Sequence, residues 1–110
     1  GAAAVRLFAP TDGRLGLAEG IESAMSSYAL TGIPTWATLG NERFGQVAIP
    51  ESVSELHFFV DHDAGGDLAA ERGHDAYLSE GRHIQVRRPK SRGTDWNDEL
   101  QSWLRRKACR

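Results

Sequence analysis

The sequence predicts an α/β domain of three layers, with a mainly parallel central sheet of about four strands and an antiparallel strand at one side. Strand-like and helix-like segments alternate along the chain, as in parallel βαβ units. The run from Leu56 to Val60 is apolar apart from His57, which is typical of a strand buried on both faces. The chain has 110 residues, 40% of them hydrophobic, enough for one core. We therefore expect a single domain over residues 1–110, with its core over 15–104.

The N-terminal segment predicts a hairpin. Short apolar stretches at 5–8 and 14–18 flank a segment that contains the turn formers Pro10 and Gly13. Residues 5–14 are therefore expected to add the antiparallel strand.

A helix is predicted directly after this second stretch. Apolar side chains recur there at the spacing of one helix face, and Gly32 supplies a C-terminal stop. The side chains expected to face the core are Ile21, Ala24, Met25, Tyr28 and Ala29.

The middle of the chain predicts a short strand at 35–39, a loop at 42–55 and then the buried strand. Gly65 and Gly66 are expected to break the chain after that strand. A second helix is predicted over 67–80. Its expected inward side chains are Leu68, Ala69, Ala76 and Tyr77.

The C-terminal part predicts one more strand and one more helix. Ile84 and Val86 alternate with polar neighbours, as in a strand with one buried face. After a basic loop at 87–92, an amphipathic helix is expected. Its apolar positions are Trp96, Leu100, Trp103 and Leu104.

Charge and cysteine content narrow the function classes. The chain has 13 basic and 15 acidic residues and a net charge of -2, so contact with nucleic acid requires a local basic patch. The single cysteine, Cys109, excludes an internal disulfide and a zinc finger. No segment has the pattern of a membrane span or a signal peptide. We expect a cytoplasmic protein without membrane contact, in which residues 1–4 are a cloning scar or the cut edge of a longer chain.

Acidic residues follow two of the predicted strands at the point where each ends. Glu19 follows Ala18, and Asp61 and Asp63 follow the buried strand. The carboxyl ends of parallel strands line one crevice, and carboxylates held together there repel one another unless a cation lies among them. A divalent cation such as Mg2+ satisfies such a site. The alternatives are that Glu19 interacts with a helix dipole and that the aspartates cap the next helix; His62, between them, is expected to be a solvent-facing spacer more than a ligand.

A third acidic pair and a basic loop follow the last strand. Asp95 and Asp98 either cap the C-terminal helix or support the cation site. The loop is expected to contact the phosphates of a nucleic acid through Arg87, Arg88, Lys90 and Arg92. A second basic cluster is expected to be solvated surface and consists of Arg105, Arg106, Lys107 and Arg110.

Three short segments resemble the three motifs of the Toprim domain. They are Leu17 to Glu22, Val60 to Gly65 and Asp95 to Asp98. That domain is shared by bacterial and phage primases, type IA and type II topoisomerases and several nucleases. The resemblance extends from about residue 15 to residue 100 and is strongest to phage-type and plasmid-type primases or primase-helicases.

The resemblance implies a Rossmann-like fold and a role in DNA replication. It implies that Glu19 is the general acid or base of phosphodiester chemistry, and that Asp61 and Asp63, together with Glu19, bind Mg2+, which Mn2+ is expected to replace. Supporting roles are implied for Glu22, Asp95 and Asp98. The implied partners are DNA or RNA, nucleoside triphosphates and other domains of a primase or helicase.

The chain also departs from the family pattern. No zinc module or polymerase subdomain precedes the motifs, so this chain alone is not expected to synthesise primers. Tyr28 and Tyr77 are expected inside the core, which argues against a topoisomerase nucleophile. Ser23 replaces an aspartate that is common in relatives, which leaves the role of the neighbouring Glu22 open.

The expected function is therefore magnesium-dependent nucleotidyl transfer by a primase-like domain. Two alternatives remain open from the sequence. One is a small nuclease that uses the same metal to orient water, and the other is a non-catalytic fragment that binds nucleic acid.

Overall fold

A computed structural model describes residues 4–109. Four strands alternate with three α-helices, and a short 3-10 turn precedes the third strand. In chain order the elements are β1 (Arg14–Ala18), α1 (Ile21–Thr31), β2 (Thr35–Ala37), the 3-10 turn (Asn41–Arg43), β3 (Glu55–Phe59), α2 (Ala64–Leu78), β4 (His83–Arg87) and α3 (Trp96–Ala108).

The four strands form one parallel sheet in the order β2-β1-β3-β4. From β1 the chain passes to β2 on one side, then crosses to β3 on the other side of β1. The carboxyl ends of β1 and β3 therefore flank a topological switch point, which is where open α/β sheets bind their ligands. The alternation of strands and helices thus correctly predicted a parallel sheet of this size.

Helices cover both faces of the sheet, which confirms the three-layer prediction. Leu15, Leu17 and Phe58 point into the larger core, beside Ala69 and Tyr77 of α2. On the opposite face, Phe59 meets the ring of Trp96 edge-on at 5.2 Å between ring centres. There α1 and α3 pack against each other.

The buried face of α1 differs from the predicted one. Ile21, Met25 and Tyr28 are 44%, 55% and 39% exposed, whereas Ala24 and Ser27 are fully buried. A small-residue face lets the helix lie close to the sheet and to α3. The hydroxyl of Ser27 remains satisfied because it donates to the carbonyl of Ser23 at 2.8 Å. Hydrophobic periodicity could not predict this face, because it weights large apolar side chains.

The predicted N-terminal hairpin is not confirmed. Thr11 forms an isolated antiparallel bridge with Arg14, the first residue of β1, but in the sheet itself β1 pairs with the parallel strands β2 and β3. Val5 instead forms an antiparallel bridge with Ala37 of the edge strand, through backbone hydrogen bonds of 2.8 and 3.0 Å. Residues 1–3 lie outside the described part of the chain.

The second helix begins earlier than predicted, because the two glycines lie inside its first turn. The Asp63 side chain caps α2 by accepting from the backbone N–H of Gly66 at 2.7 Å. A Cβ on Gly66 would lie 1.9 Å from the Asp61 carbonyl oxygen. Glycine is needed there so that the first turn can pack onto the end of β3. Of the predicted inward residues, Leu68 is 44% exposed.

The last helix is anchored at its start by Trp96. Trp96 is 7% exposed and donates its indole N–H to the Val60 carbonyl at 3.2 Å. Trp103 and Leu104, predicted to face the core, are 39% and 45% exposed. No helix within residues 4–109 is long and apolar enough to cross a membrane.

Candidate metal and nucleic-acid site

Glu19 lies immediately beyond the carboxyl end of β1. Its backbone carbonyl accepts from the N–H of Leu39 at 2.6 Å, which extends the pairing of β1 with the β2 side of the sheet past the last strand residue. Burial raises the pKa of the Glu19 carboxyl, and the negative charges of Asp63 and Glu42 raise it further. Glu19 is therefore a partly desolvated acid among other acids.

Asp61 lies two residues beyond the carboxyl end of β3, one position past the residue that is level with Glu19. The preceding residue, Val60, is held on both sides, since its N–H donates to the Arg87 carbonyl and its carbonyl accepts from Trp96. Burial raises the pKa of Asp61 from 3.8 to about 6, and the charges of Asp63 and Glu19 are the next causes. The two strand ends thus bring Glu19 close enough for its charge to act on Asp61.

Both acids line one open cleft at the carboxyl edge of the sheet. The cleft has a volume of about 410 Å³. It is lined by Glu19, Gly20, Glu22, Ser23, Leu39 and Asp61. Glu22 therefore faces the same space as the two principal acids, in the first turn of α1.

Asp63 has a structural role in addition to its charge. It is exposed, and one of its carboxylate oxygens is the N-cap acceptor of α2. Its charge nevertheless acts on the cleft, because it raises the pKa of both Glu19 and Asp61. The sequence left helix capping and a role in the cation site as alternatives for Asp63. The structure is compatible with both.

Asp95 and Asp98 form a reciprocal capping box at the start of α3. Asp95 accepts from the N–H of Asp98 at 2.8 Å, and Asp98 accepts from the N–H of Asp95 at 3.0 Å. Helix capping, one of the two alternatives from the sequence, is thus what their side chains do here. Both charges still contribute to the raised pKa of Asp61.

The donor chemistry of the cleft fits a hard divalent cation. Neighbouring carboxylates raise the pKa of both Glu19 and Asp61, and carboxylate oxygens are the ligands that Mg2+ prefers. Within residues 4–109, however, no three acidic, imidazole or thiol groups already converge as a ligand set. Mg2+ binds through one or two carboxylates and retains several waters, so Glu19 and Asp61, with Asp63 beside them, are sufficient candidates.

The four basic residues of the loop have three different surroundings. Arg88 and Arg92 both contact the carboxylate of Asp67, at 3.1 and 3.4 Å. Arg87 lies over the ring of Phe59, 5.4 Å from its centre. The fourth predicted residue, Lys90, is exposed.

Sequence reasoning missed the contacts of His62, which was expected to face solvent. Its Nδ1 lies 2.9 Å from the Pro89 carbonyl, and because a carbonyl oxygen can only accept, Nδ1 is the protonated nitrogen. The His62 backbone also donates to Thr94 at 3.0 Å and accepts from Gly93 at 2.7 Å. The residue between the two strand-end acids therefore fixes the basic loop, and the alternation of an extended segment gave no signal of it.

The remaining basic residues lie elsewhere. Arg82 directly precedes β4 and therefore lies at the amino ends of the strands, away from the cleft at their carboxyl ends. It donates to the carbonyls of Val53 and Pro50 at 2.8 and 3.0 Å. In the second basic cluster, Arg105, Arg106 and Lys107 are exposed in the last turn of α3. Arg110 lies outside the described residues.

A family model described as the Toprim domain matches residues 14–105. The chain belongs to the Toprim domain family. The match spans all four strands and nearly all of α3, so the resemblance of the three motifs is confirmed over the domain core. No curated protein matches the sequence significantly.

Among solved structures, the Toprim fold of this chain is similar to a DNA primase domain from Pseudomonas aeruginosa, with a TM-score of 0.61 and 18% identity. The alignment covers 88% of this chain and 33% of that one. The chain thus corresponds to about a third of the length of that structure, and at this identity the similarity concerns the fold.

Proposed function

We propose that this Toprim domain is the metal-binding catalytic part of a primase-like replication protein that performs nucleotidyl transfer on DNA or RNA. The observation that supports this most directly is that Glu19 and Asp61 line one cleft at the switch point, where neighbouring carboxylates raise the pKa of both. Membership of the Toprim family supports the same chemistry. The similarity to a primase domain favours the primase branch over the nuclease branch.

We assign proton transfer and metal binding to different acidic residues in and beside the cleft. Glu19, half-buried and with a pKa raised by burial, is the proposed general acid or base. Asp61 and Asp63 would hold the metal, with Glu19 as a further ligand and with Glu22, Asp95 and Asp98 in support. When bound, Mg2+ supplies charge neutralisation for the phosphate oxygens. Mn2+ is expected to replace it because it also accepts carboxylate and water ligands.

The nucleic acid and the nucleotide are the proposed substrates. The basic loop would position the phosphates of the nucleic acid, and nucleoside triphosphates would be the second substrate. Since the chain spans a third of its structural neighbour, further primase or helicase domains are the proposed partners, within a phage-, plasmid- or bacterial-type replication system in the cytoplasm.

Labelled single-stranded DNA, incubated with Mg2+ in the presence and absence of nucleoside triphosphates, tests the proposal. Extended products support nucleotidyl transfer, whereas shortened products support a nuclease. Binding without turnover in either condition supports a non-catalytic domain. Glu19→Gln is expected to abolish any turnover while the fold is retained, and Glu71→Gln, an exposed site on α2, serves as the charge-matched control.

A further inference from the structure

Arg88 and Arg92 converge on a single carboxylate, and this is the feature of the basic loop that carries a further inference. Arg88 Nε is 3.1 Å from Asp67 Oδ1, and Arg92 Nη1 is 3.4 Å from Asp67 Oδ2. Each oxygen of one anion therefore has its own guanidinium. A phosphate group presents oxygens to two such donors in the same way.

The loop backbone is held without Asp67. His62 makes two backbone hydrogen bonds to it, with Gly93 and Thr94, and a side-chain hydrogen bond to the Pro89 carbonyl. Pro89 itself is buried. The hydrogen bonds of the Asp67 carboxylate go to the two arginine side chains, so its contact governs where those side chains lie and not the course of the backbone.

The ion pairs are also weak enough to exchange. Asp67 is 45% exposed in its side chain, and Arg88 and Arg92 are 35% and 64% exposed. Solvent-exposed ion pairs of this kind contribute little to stability. A nucleic-acid phosphate releases condensed counterions when it binds arginine, which gives it an advantage over a carboxylate.

We propose that Arg88 and Arg92 form one two-guanidinium site for a nucleic-acid phosphate, and that Asp67 occupies this site as an internal competitor until the nucleic acid displaces it. The inference deepens the proposed function and rests on its assignment of the basic loop to phosphates. It singles out two of the four loop cations as one site and gives Asp67 the role of setting the affinity.

Fluorescence anisotropy of labelled single-stranded DNA, at fixed Mg2+ and low salt, tests the competition. Asp67→Asn keeps the size of the side chain and removes its charge, so the affinity is expected to rise about 3- to 10-fold. Asp75→Asn, at an exposed position on the same helix, removes the same charge away from the arginines and is expected to change the affinity less than about 2-fold.

Arginine variants identify which part of the proposal fails, if either does. Arg88→Gln and Arg92→Gln should each weaken binding, and each should cancel the gain of Asp67→Asn in the double variant. If the arginine variants weaken binding but Asp67→Asn leaves it unchanged or weakens it, the competition is wrong and the loop assignment stands. If neither arginine variant alters binding, the two-guanidinium site is wrong, and so is the part of the proposed function that assigns Arg88 and Arg92 to phosphates.

Discussion

Asp61 and Asp67 lie six positions apart, at the end of β3 and in the first turn of α2, and their surroundings act on them in opposite directions. Burial and neighbouring carboxylates raise the pKa of Asp61 to about 6. Desolvation raises the pKa of Asp67 as well, but the hydrogen bonds from Arg92 and Arg88 and the charges of these arginines outweigh it, so the pKa is lowered. Among the described residues, only other acids act on the charge of Asp61, whereas two arginines act on that of Asp67. The proposed cation site therefore lies beside a place where an internal anion already holds two cations.

The largest expected effect concerns Asp61. Asp61→Asn should abolish Mg2+-dependent turnover, by a factor of about 100 or more, because it removes a proposed ligand at the switch point. The same change in Asp67 should leave turnover at saturating nucleic acid within a few-fold of wild type. Steady-state rates of the two variants would contradict the comparison if Asp61→Asn retained full activity.

The close packing between Asp61 and α2 gives the next largest effect. Gly66→Ala places a methyl group where the Asp61 carbonyl lies, and we expect a loss of about 3 kcal/mol in the free energy of unfolding. Gly20→Ala is the matched control, because a Cβ at Gly20 meets no atom within 4 Å. Urea denaturation measures both, and equal midpoints would contradict the proposed need for glycine in the first turn.

The raised pKa of Asp61 also predicts how stability depends on pH. The folded chain binds this proton more tightly than the unfolded chain, so Asp61 makes stability fall as pH rises from about 3.8 to about 6. At pH 7 the metal-free chain carries this loss of stability in full, although solvent around the half-exposed carboxyl reduces its size, and Asp61→Asn should relieve it. Mg2+ should relieve it in the wild type only, and increasingly as pH rises through 6.

Thermal unfolding of wild type and Asp61→Asn between pH 4 and 8, with and without Mg2+, provides the measurement. His57, whose pKa is lowered by burial, gives the opposite slope below pH 6.5 in both proteins and cancels in their difference. If Mg2+ stabilised the variant as much as the wild type, its binding site would lie elsewhere.

The smallest expected effect concerns His62, which connects the strand-end acids to the basic loop. His62→Ala removes the Nδ1 donor to Pro89 and should cost about 1 kcal/mol in stability and weaken DNA binding a few-fold. Asparagine carries its amide nitrogen as many bonds from the backbone as Nδ1 does, so His62→Asn should recover the DNA affinity. Anisotropy and thermal unfolding test both variants; failure of asparagine to recover binding would show that His62 acts through something other than this hydrogen bond.

Helix and strand identity followed from local chemistry, and the errors arose where a contact was distant in sequence. The apolar run that forms β3 predicted a central strand, and its flanking acids predicted the cleft. By contrast, the length of α2 was misjudged because Gly66 reads as a helix breaker, although close contact with Asp61 is the reason for a glycine at that position. The exposure of Met25 and Tyr28 was missed for a similar reason, since small residues beneath α1 are favoured by a neighbouring helix that the sequence pattern does not show.

The sequence by itself determined that this chain is a parallel α/β Toprim domain with acids at the ends of β1 and β3, because burial patterns and strand-end positions are local properties. Only the tertiary structure decided which acids are desolvated, which cap helices and which hold arginines. Those outcomes depend on the strand order and on loop contacts such as His62 with Pro89. The electrostatic environment of a carboxylate is the sum over neighbours brought together by folding, and residue type and spacing alone do not contain that sum.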